Sequence, residues 1–137
     1  MNRLPGVIAA IESNDLLSLV DVTVGGDTFT ALLLETPATA PYLAVGKPVS
    51  VLFKETEVSL AKNLTGQISL RNRIKGTVRH IRRGEILSEV ALDCHGQTLT
   101  SIITTRAVAR LELAEGDEVE ALVKANEVTL MEADHAL

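Results

Sequence analysis

The sequence of 137 residues contains few of the residues that mark several common classes of protein. It has one cysteine, Cys94, which excludes an intramolecular disulfide and a CxxC zinc site. Two phenylalanines, one tyrosine and no tryptophan leave little for stacking on single-stranded nucleic acid. No apolar run approaches the length that crosses a bilayer, and no signal-peptide pattern follows Met1. We therefore expect a cytoplasmic protein without a membrane partner.

The charge balance also disfavours nucleic acid as a partner. The formal net charge is −5, with 13 basic and 18 acidic residues, whereas nucleic-acid binders usually present a basic face. The one basic cluster, Arg79–Arg83, fits the solvated edge of a strand better than a nucleic-acid patch. The hydrophobic fraction of 46% is that of an ordinary globular chain. We expect no direct contact between this segment and nucleic acid.

The sequence contains a tandem repeat. Asn2–Lys62 aligns with Asn72–Glu132 without a gap. The agreement is clearest in the second half of the repeat, where Leu43, Gly46, Val49, Leu52, Lys54, Glu57, Val58 and Leu60 recur as Leu113, Gly116, Val119, Leu122, Lys124, Glu127, Val128 and Leu130. The repeat predicts two domains, residues 1–66 and residues 67–137. Because the linker between them is short, we expect the two domains to pack together.

Each repeat has the pattern of short strands. Val90, Leu92 and Cys94 alternate with more polar residues, which is typical of a half-buried strand and places the thiol in the core. Glycine-containing turns at Gly25–Asp27 and His95–Gln97 separate extended runs and predict hairpins.

One short helix is expected in each repeat. Thr105–Leu111 has helical spacing of apolar residues, and its counterpart is Thr36–Tyr42, which Pro41 should end. Five strands and one short helix in each repeat predict an all-β protein. Its architecture would be two tandem OB-like Greek-key barrels of five strands each.

No motif of an enzyme is present. The sequence has no GxSxG, no HExxH and no GxGxxG that opens a helix. Its three histidines, His80, His95 and His135, have no metal-ligand spacing with one another or with Cys94. We therefore expect a protein that is not an enzyme and that has no direct ligand to a metal ion.

One group of residues has the chemistry of an anion site. Ser69–Asn72 combines a hydroxyl, a guanidinium and an amide just before a predicted strand. Lys124–Ala125 and Lys54–Glu55 follow apolar strands at equivalent places, and Thr104 ends a strand rich in hydroxyls. A tetrahedral oxyanion needs such donors. From spacing alone, ordinary surface charges and β-forming threonines remain the alternative interpretation.

The second repeat also resembles a known family. Ile68–Val78 resembles the opening S-A-R-N-x-L/I-x-G-x-V of the Mop domain, the molybdate-binding relative of the TOBE domain. The resemblance continues in order through Ile103-Thr104 and ends in Val123–Val128. Because the repeat extends it to about Asn2–Glu132, the chain resembles a tandem Mop protein.

The resemblance implies that oxyanions bind at interfaces between Mop units, through hydrogen bonds. The positions that match the family's binding residues are Ser69, Leu70, Arg71, Asn72, Thr104, Lys124, Ala125 and, in the first repeat, Lys54. Leu70 replaces the usual alanine, so only its backbone N–H could serve. In the first repeat Leu34 replaces the threonine and no Ser-x-Arg segment precedes Asn2. We expect that the first repeat alone cannot form the site.

The expected function is binding of molybdate or tungstate for storage or sensing. The chain would be either a free-standing binding protein or the effector part of a longer regulator, and it would assemble as a trimer or a dimer of identical chains. The alternative is a TOBE-like module of a transporter ATPase or a regulator, which supports dimerisation without its own ligand.

Overall fold

The computed structural model describes residues 1–133, and residues 134–137 of the predicted second barrel, with His135, lie outside the described residues. The structure is mostly β, and it confirms the predicted fold class. The strands are β1 (Asn2–Ser13), β2 (Ser18–Val24), β3 (Asp27–Leu33), β4 (Pro48–Phe53), β5 (Ser59–Ala61), β6 (Asn72–Arg83), β7 (Leu87–Cys94), β8 (Gln97–Thr104), β9 (Glu118–Val123) and β10 (Thr129–Glu132).

The strands alternate buried and exposed residues because each sheet curves around a core. In β2 every second residue, from Ser18 to Val24, is buried. The predicted hairpins join β2 to β3 and β7 to β8. The second hairpin turns at His95 and Gly96, both with positive φ, as a two-residue turn of this type requires. At Gly76 a Cβ atom would lie 2.7 Å from the buried Cys94 Sγ, so β6 can approach β7 there only without a side chain.

The two sheets exchange their fifth strands. One sheet has the order β10-β4-β1-β2-β3, and the other has the order β5-β9-β6-β7-β8. Thus β5 of the first repeat pairs with β9, and β10 of the second repeat pairs with β4. Each barrel therefore contains four strands of one repeat and one strand of the other. The buried apolar side chains form one continuous cluster that includes residues of both barrels.

The chain crosses between the barrels at two short 3₁₀ turns. After β4 it forms the turn Glu55–Glu57, which packs on β8 of the second barrel. After β9 it forms the turn Ala125–Glu127, which packs on β3 of the first barrel. The residues before these turns are Lys54 and Lys124. We call the two places the Lys54 junction and the Lys124 junction.

The prediction of a helix in each repeat is confirmed only in the second. There Thr104 caps the N-terminus of α1 (Thr105–Arg110), because its hydroxyl oxygen accepts a hydrogen bond from the N–H of Ala107. In the first repeat the expected helix at Thr36–Tyr42 is wrong, because the chain forms a single turn in which the Thr36 carbonyl accepts from Ala40. Pro41 has no N–H to continue a helix and disfavours helical backbone in the residue before it.

Candidate oxyanion site

A cleft of about 580 Å³ lies at the Lys124 junction. Its lining residues come from three segments: Leu32, Ser69, Leu70, Arg71, Lys124, Ala125 and Asn126. Five of the eight residues that the sequence proposed for the oxyanion therefore line one cleft: Ser69, Leu70, Arg71, Lys124 and Ala125. The wall that contains Leu32 belongs to β3, which is part of the other barrel.

Strands and a 3₁₀ turn position the residues that line this cleft. Ser69, Leu70 and Arg71 directly precede β6, whose first residue pairs with Val123 at the end of β9. Lys124 has extended backbone, and the 3₁₀ turn that follows it packs on β3. The exchange of β10 thus brings the end of one barrel against the outer strand of the other.

The charge of the cleft is positive. Arg71 donates a hydrogen bond from Nη2 to the carbonyl of Ile68 over 2.6 Å, which leaves its other N–H donors for a ligand. Lys124 has no ion-pair partner within residues 1–133. None of the residues given above as the lining is acidic. Guanidinium, ammonium and hydroxyl donors without a competing carboxylate suit an oxyanion.

Asn72 is not among the residues that line the cleft. Its side chain is buried and forms two hydrogen bonds to the backbone of Thr30 in β3. The Oδ1 atom accepts from the Thr30 N–H over 2.7 Å, and Nδ2 donates to the Thr30 carbonyl over 2.9 Å. The amide of Asn72 is therefore engaged with protein backbone beside the cleft.

Neither Thr104 nor Lys54 lines this cleft. β8, which Thr104 ends, packs against the 3₁₀ turn that follows Lys54. The position equivalent to Ala125 holds Glu55, a carboxylate beside Lys54. At the Lys124 junction the position equivalent to Thr104 holds Leu34, whose exposed fraction is 83%. One chain therefore does not bring Thr104 to the cleft of Arg71 and Lys124.

Sequence reasoning missed two lining residues. Asn126 follows Ala125 and could have been included as a neighbour in sequence. Leu32 carried no signal, because it lies in the first repeat and reaches the cleft only through the strand exchange.

Two other features of the surface are less suited to an oxyanion. A cleft of about 500 Å³ beside β6 and β9 is lined by three carboxylates, those of Asp93, Glu118 and Glu120, which would repel an anion. In the basic cluster, Arg79 and Arg82 form ion pairs with Asp93 and Glu89 over 3.1 and 2.9 Å. These pairs neutralise part of the cluster's charge.

Burial raises the pKa of the Cys94 thiol to about 11, so the thiol is protonated at neutral pH and belongs to the core, as predicted. Among residues 1–133 no group of three histidine, cysteine or acidic side chains could hold a metal ion. No helix in that part of the chain is long and apolar enough to span a membrane.

Two similar proteins of known name are both described as molybdenum proteins. The chain is 33% identical over 127 residues to the molybdenum transport protein ModE of Herbaspirillum seropedicae. The aligned residues cover 90% of this chain and 47% of that protein. The chain is also 33% identical over 124 residues to the molybdenum-pterin-binding protein MopB of Rhodobacter capsulatus, with 88% and 46% covered. The chain thus spans about half the length of these two relatives.

A solved structure extends the similarity to nearly the whole chain. The cytoplasmic molybdate-binding protein ModG, in a crystal form with molybdate bound, superimposes with a TM-score of 0.89 at 34% identity and covers 94% of both chains. The family model of the TOBE domain matches twice, at residues 1–60 and 68–130. This chain belongs to the TOBE domain family, as a tandem protein of the Mop type.

Proposed function

We propose that this chain binds molybdate at an interface between its barrels, the Lys124 junction, and serves intracellular molybdenum homeostasis. The observation that carries the proposal is the cleft at the Lys124 junction, where Arg71 and Lys124 face one space without a lining carboxylate. The names of ModE, MopB and ModG, which all refer to molybdenum or molybdate, support the same ligand. ModE, MopB and ModG have the names of transport or binding proteins, which supports a function other than catalysis.

The roles of the residues follow from their chemistry. Arg71 would supply a permanent charge and a planar pair of donors, and Lys124 a second charge. The Ser69 hydroxyl and the backbone N–H groups of Leu70 and Ala125 would complete the hydrogen bonds to the oxyanion. Thr104 and Lys54 would contribute where a second copy of the chain brings the Lys54 junction to the cleft. Tungstate has nearly the same size and charge as molybdate, so we propose that the site accepts both.

We also propose that the chain forms a homo-oligomer, as a trimer or a dimer. Arg71 and Lys124 are exposed in the single chain, whereas charge-assisted hydrogen bonds gain strength when water is excluded. Leu34 and Ile86 are 83% and 73% exposed, as residues of a contact surface would be before assembly. Light scattering in the presence of molybdate should give a multiple of the monomer mass, and a monomer mass would contradict the assembly.

Titration calorimetry with sodium molybdate tests the function. Saturable binding that equimolar sulfate does not displace is expected, because the smaller sulfate would leave several hydrogen bonds long. Phosphate should also compete poorly, since at neutral pH it is partly protonated and its O–H would face donors. No heat with molybdate or tungstate would favour a TOBE-like interaction module without a ligand. Salt-sensitive binding in a gel-shift assay would instead indicate a nucleic-acid binder.

The cellular role needs a different observation. Storage and sensing would use the same cleft, so binding data cannot separate them. We propose a cytoplasmic location in either case. A helix-turn-helix segment in the full-length gene would decide for sensing, and neighbouring genes for molybdenum enzymes without such a segment would favour storage.

A further inference from the structure

Two asparagines at equivalent positions of the repeats fasten the barrels to each other. Asn72, at the start of β6, forms its pair of hydrogen bonds with the backbone N–H and carbonyl of Thr30. Asn2, at the start of β1, forms the same pair with Thr100 in β8, and both distances are 2.8 Å. Both asparagines are buried, and both threonines lie on the outer strand of their sheet. The two contacts are therefore matched in geometry.

The Asn72–Thr30 and Asn2–Thr100 contacts differ in the residues that lie beside them. Asn72 directly follows Arg71, and Thr30 lies two residues before Leu32, so both ends of this contact continue into the lining of the cleft. Residues two apart on a strand face the same way, which places Thr30 and Leu32 on one side of β3. Asn2 fastens the Lys54 junction instead, where Glu55 stands in place of Ala125.

We propose that Asn72 is a positioning residue for the oxyanion site, an inference that rests on the proposed binding of molybdate. By holding β3 against the segment that ends at Arg71, it keeps Leu32 as a fixed wall of the cleft. Its side chain does not contact the ligand, because both groups of its amide are already bonded to Thr30. A wall that is fixed before binding saves the entropy that ordering it would cost, and it therefore increases affinity.

The matched asparagines supply the test. Asn72→Ala and Asn2→Ala each remove two hydrogen bonds between the barrels, so both variants should lose similar amounts of thermal stability. Calorimetry with molybdate should show that Asn72→Ala weakens binding about tenfold, a usual size for coupling between neighbouring sites. Asn2→Ala should weaken it less than about twofold.

The outcomes separate this inference from the function on which it rests. If the unmodified protein gives no heat with molybdate, the proposed function fails. If it binds and the two variants weaken binding equally, or if Asn72→Ala binds as tightly as the unmodified protein, the positioning role fails.

A second measurement uses the unmodified protein and does not require Asn72→Ala to fold. Coupling is reciprocal, so if the Asn72 contact favours binding, molybdate must favour the contact. Molybdate should slow hydrogen exchange of the Thr30 N–H clearly more than that of the Thr100 N–H. Equal protection of the two amides would overturn the inference.

Discussion

The two junctions between the barrels share a topology and differ in charge. At both, a strand is exchanged, a lysine precedes a 3₁₀ turn, and the turn packs on the outer strand of the other barrel. The Lys124 junction adds Arg71 and Ala125, whereas the Lys54 junction has Glu55 in the position of Ala125. The strand exchange therefore gives both junctions the same arrangement of strands and turns, and a few flanking residues set the charge at each junction.

Ala125→Glu, which gives the Lys124 junction the carboxylate of the Lys54 junction, should have the largest effect on binding. A unit charge about 5 Å from a bound anion costs roughly 3 kcal/mol at an effective dielectric constant near 20, and molybdate is a dianion. We expect affinity for molybdate to fall by more than about a hundredfold in calorimetry. The control is Ala125→Gln, which adds a side chain of the same size without the charge and should weaken binding much less. An Ala125→Glu variant that binds normally would show that the ligand lies elsewhere.

Arg71→Ala should have the next largest effect. Hydrogen bonds to charged groups contribute about 1.5–3 kcal/mol, which corresponds to a loss of roughly ten- to a hundred-and-fifty-fold in affinity. The measurement is a titration with molybdate after the oligomer mass of the variant has been checked. Arg79→Ala is the matched control, because it removes an exposed arginine that is paired with Asp93 outside the cleft. Similar losses in both variants would indicate a general effect of charge.

The two lysines that precede the turns allow a direct comparison of the junctions. Lys124→Ala should weaken molybdate binding by about tenfold or more, since it removes the ammonium from the cleft. Lys54→Ala removes the equivalent residue and should weaken molybdate binding clearly less, because Lys54 does not line the cleft of one chain and would reach it only from a second copy. If Lys54→Ala abolishes binding while Arg71→Ala has no effect, molybdate binds at the Lys54 junction and our proposal names the wrong one.

The smallest effect concerns how the exchanged strand β5 is fastened. The N–H of Ala114 donates to the carboxylate of Asp117, and Lys62, just after β5, donates to the same carboxylate over 3.0 Å. These bonds hold the pKa of Asp117 below its ordinary value. The carboxylate therefore stabilises the fold above that ordinary pKa, and the contribution is lost as pH falls through the lower pKa of the folded state.

Melting temperatures measured against pH test this point. Asp117→Asn should lower the melting temperature slightly at neutral pH, and the difference from the unmodified protein should vanish in acid. Lys47→Ala, which changes the equivalent position of the first repeat, is the control for altering a charged side chain at this turn. A constant difference in the Asp117→Asn variant would contradict the assignment.

Most of the fold could be predicted because the pattern of apolar residues fixes local structure. Alternation and glycine turns predicted the strands and hairpins correctly. The exchange of strands could not be predicted, because Val58 and Leu60 recur as Val128 and Leu130. Either strand therefore offers the same apolar face to either barrel, and only the path of the chain decides which partner it meets.

The candidate site could be predicted only in part, because the exchange of strands brings residues of both repeats to one cleft. Ser69, Arg71 and Lys124 belong to one repeat and were recognised from their motif, and the structure places them around one cleft. Leu32 could not be found because it comes from the other repeat. Thr104 matched the motif, but the exchange carries its strand to the Lys54 junction.

The position of β10 has a consequence for the order in which the protein can be made. The first barrel pairs β4 with a strand that ends at Glu132, so its sheet stays open at that side while nearly the whole of the second repeat is being synthesised. Domains commonly fold in the order in which they leave the ribosome. Here the barrel that emerges first is finished last, and the unpaired edge of β4 is exposed to other nascent chains during that interval.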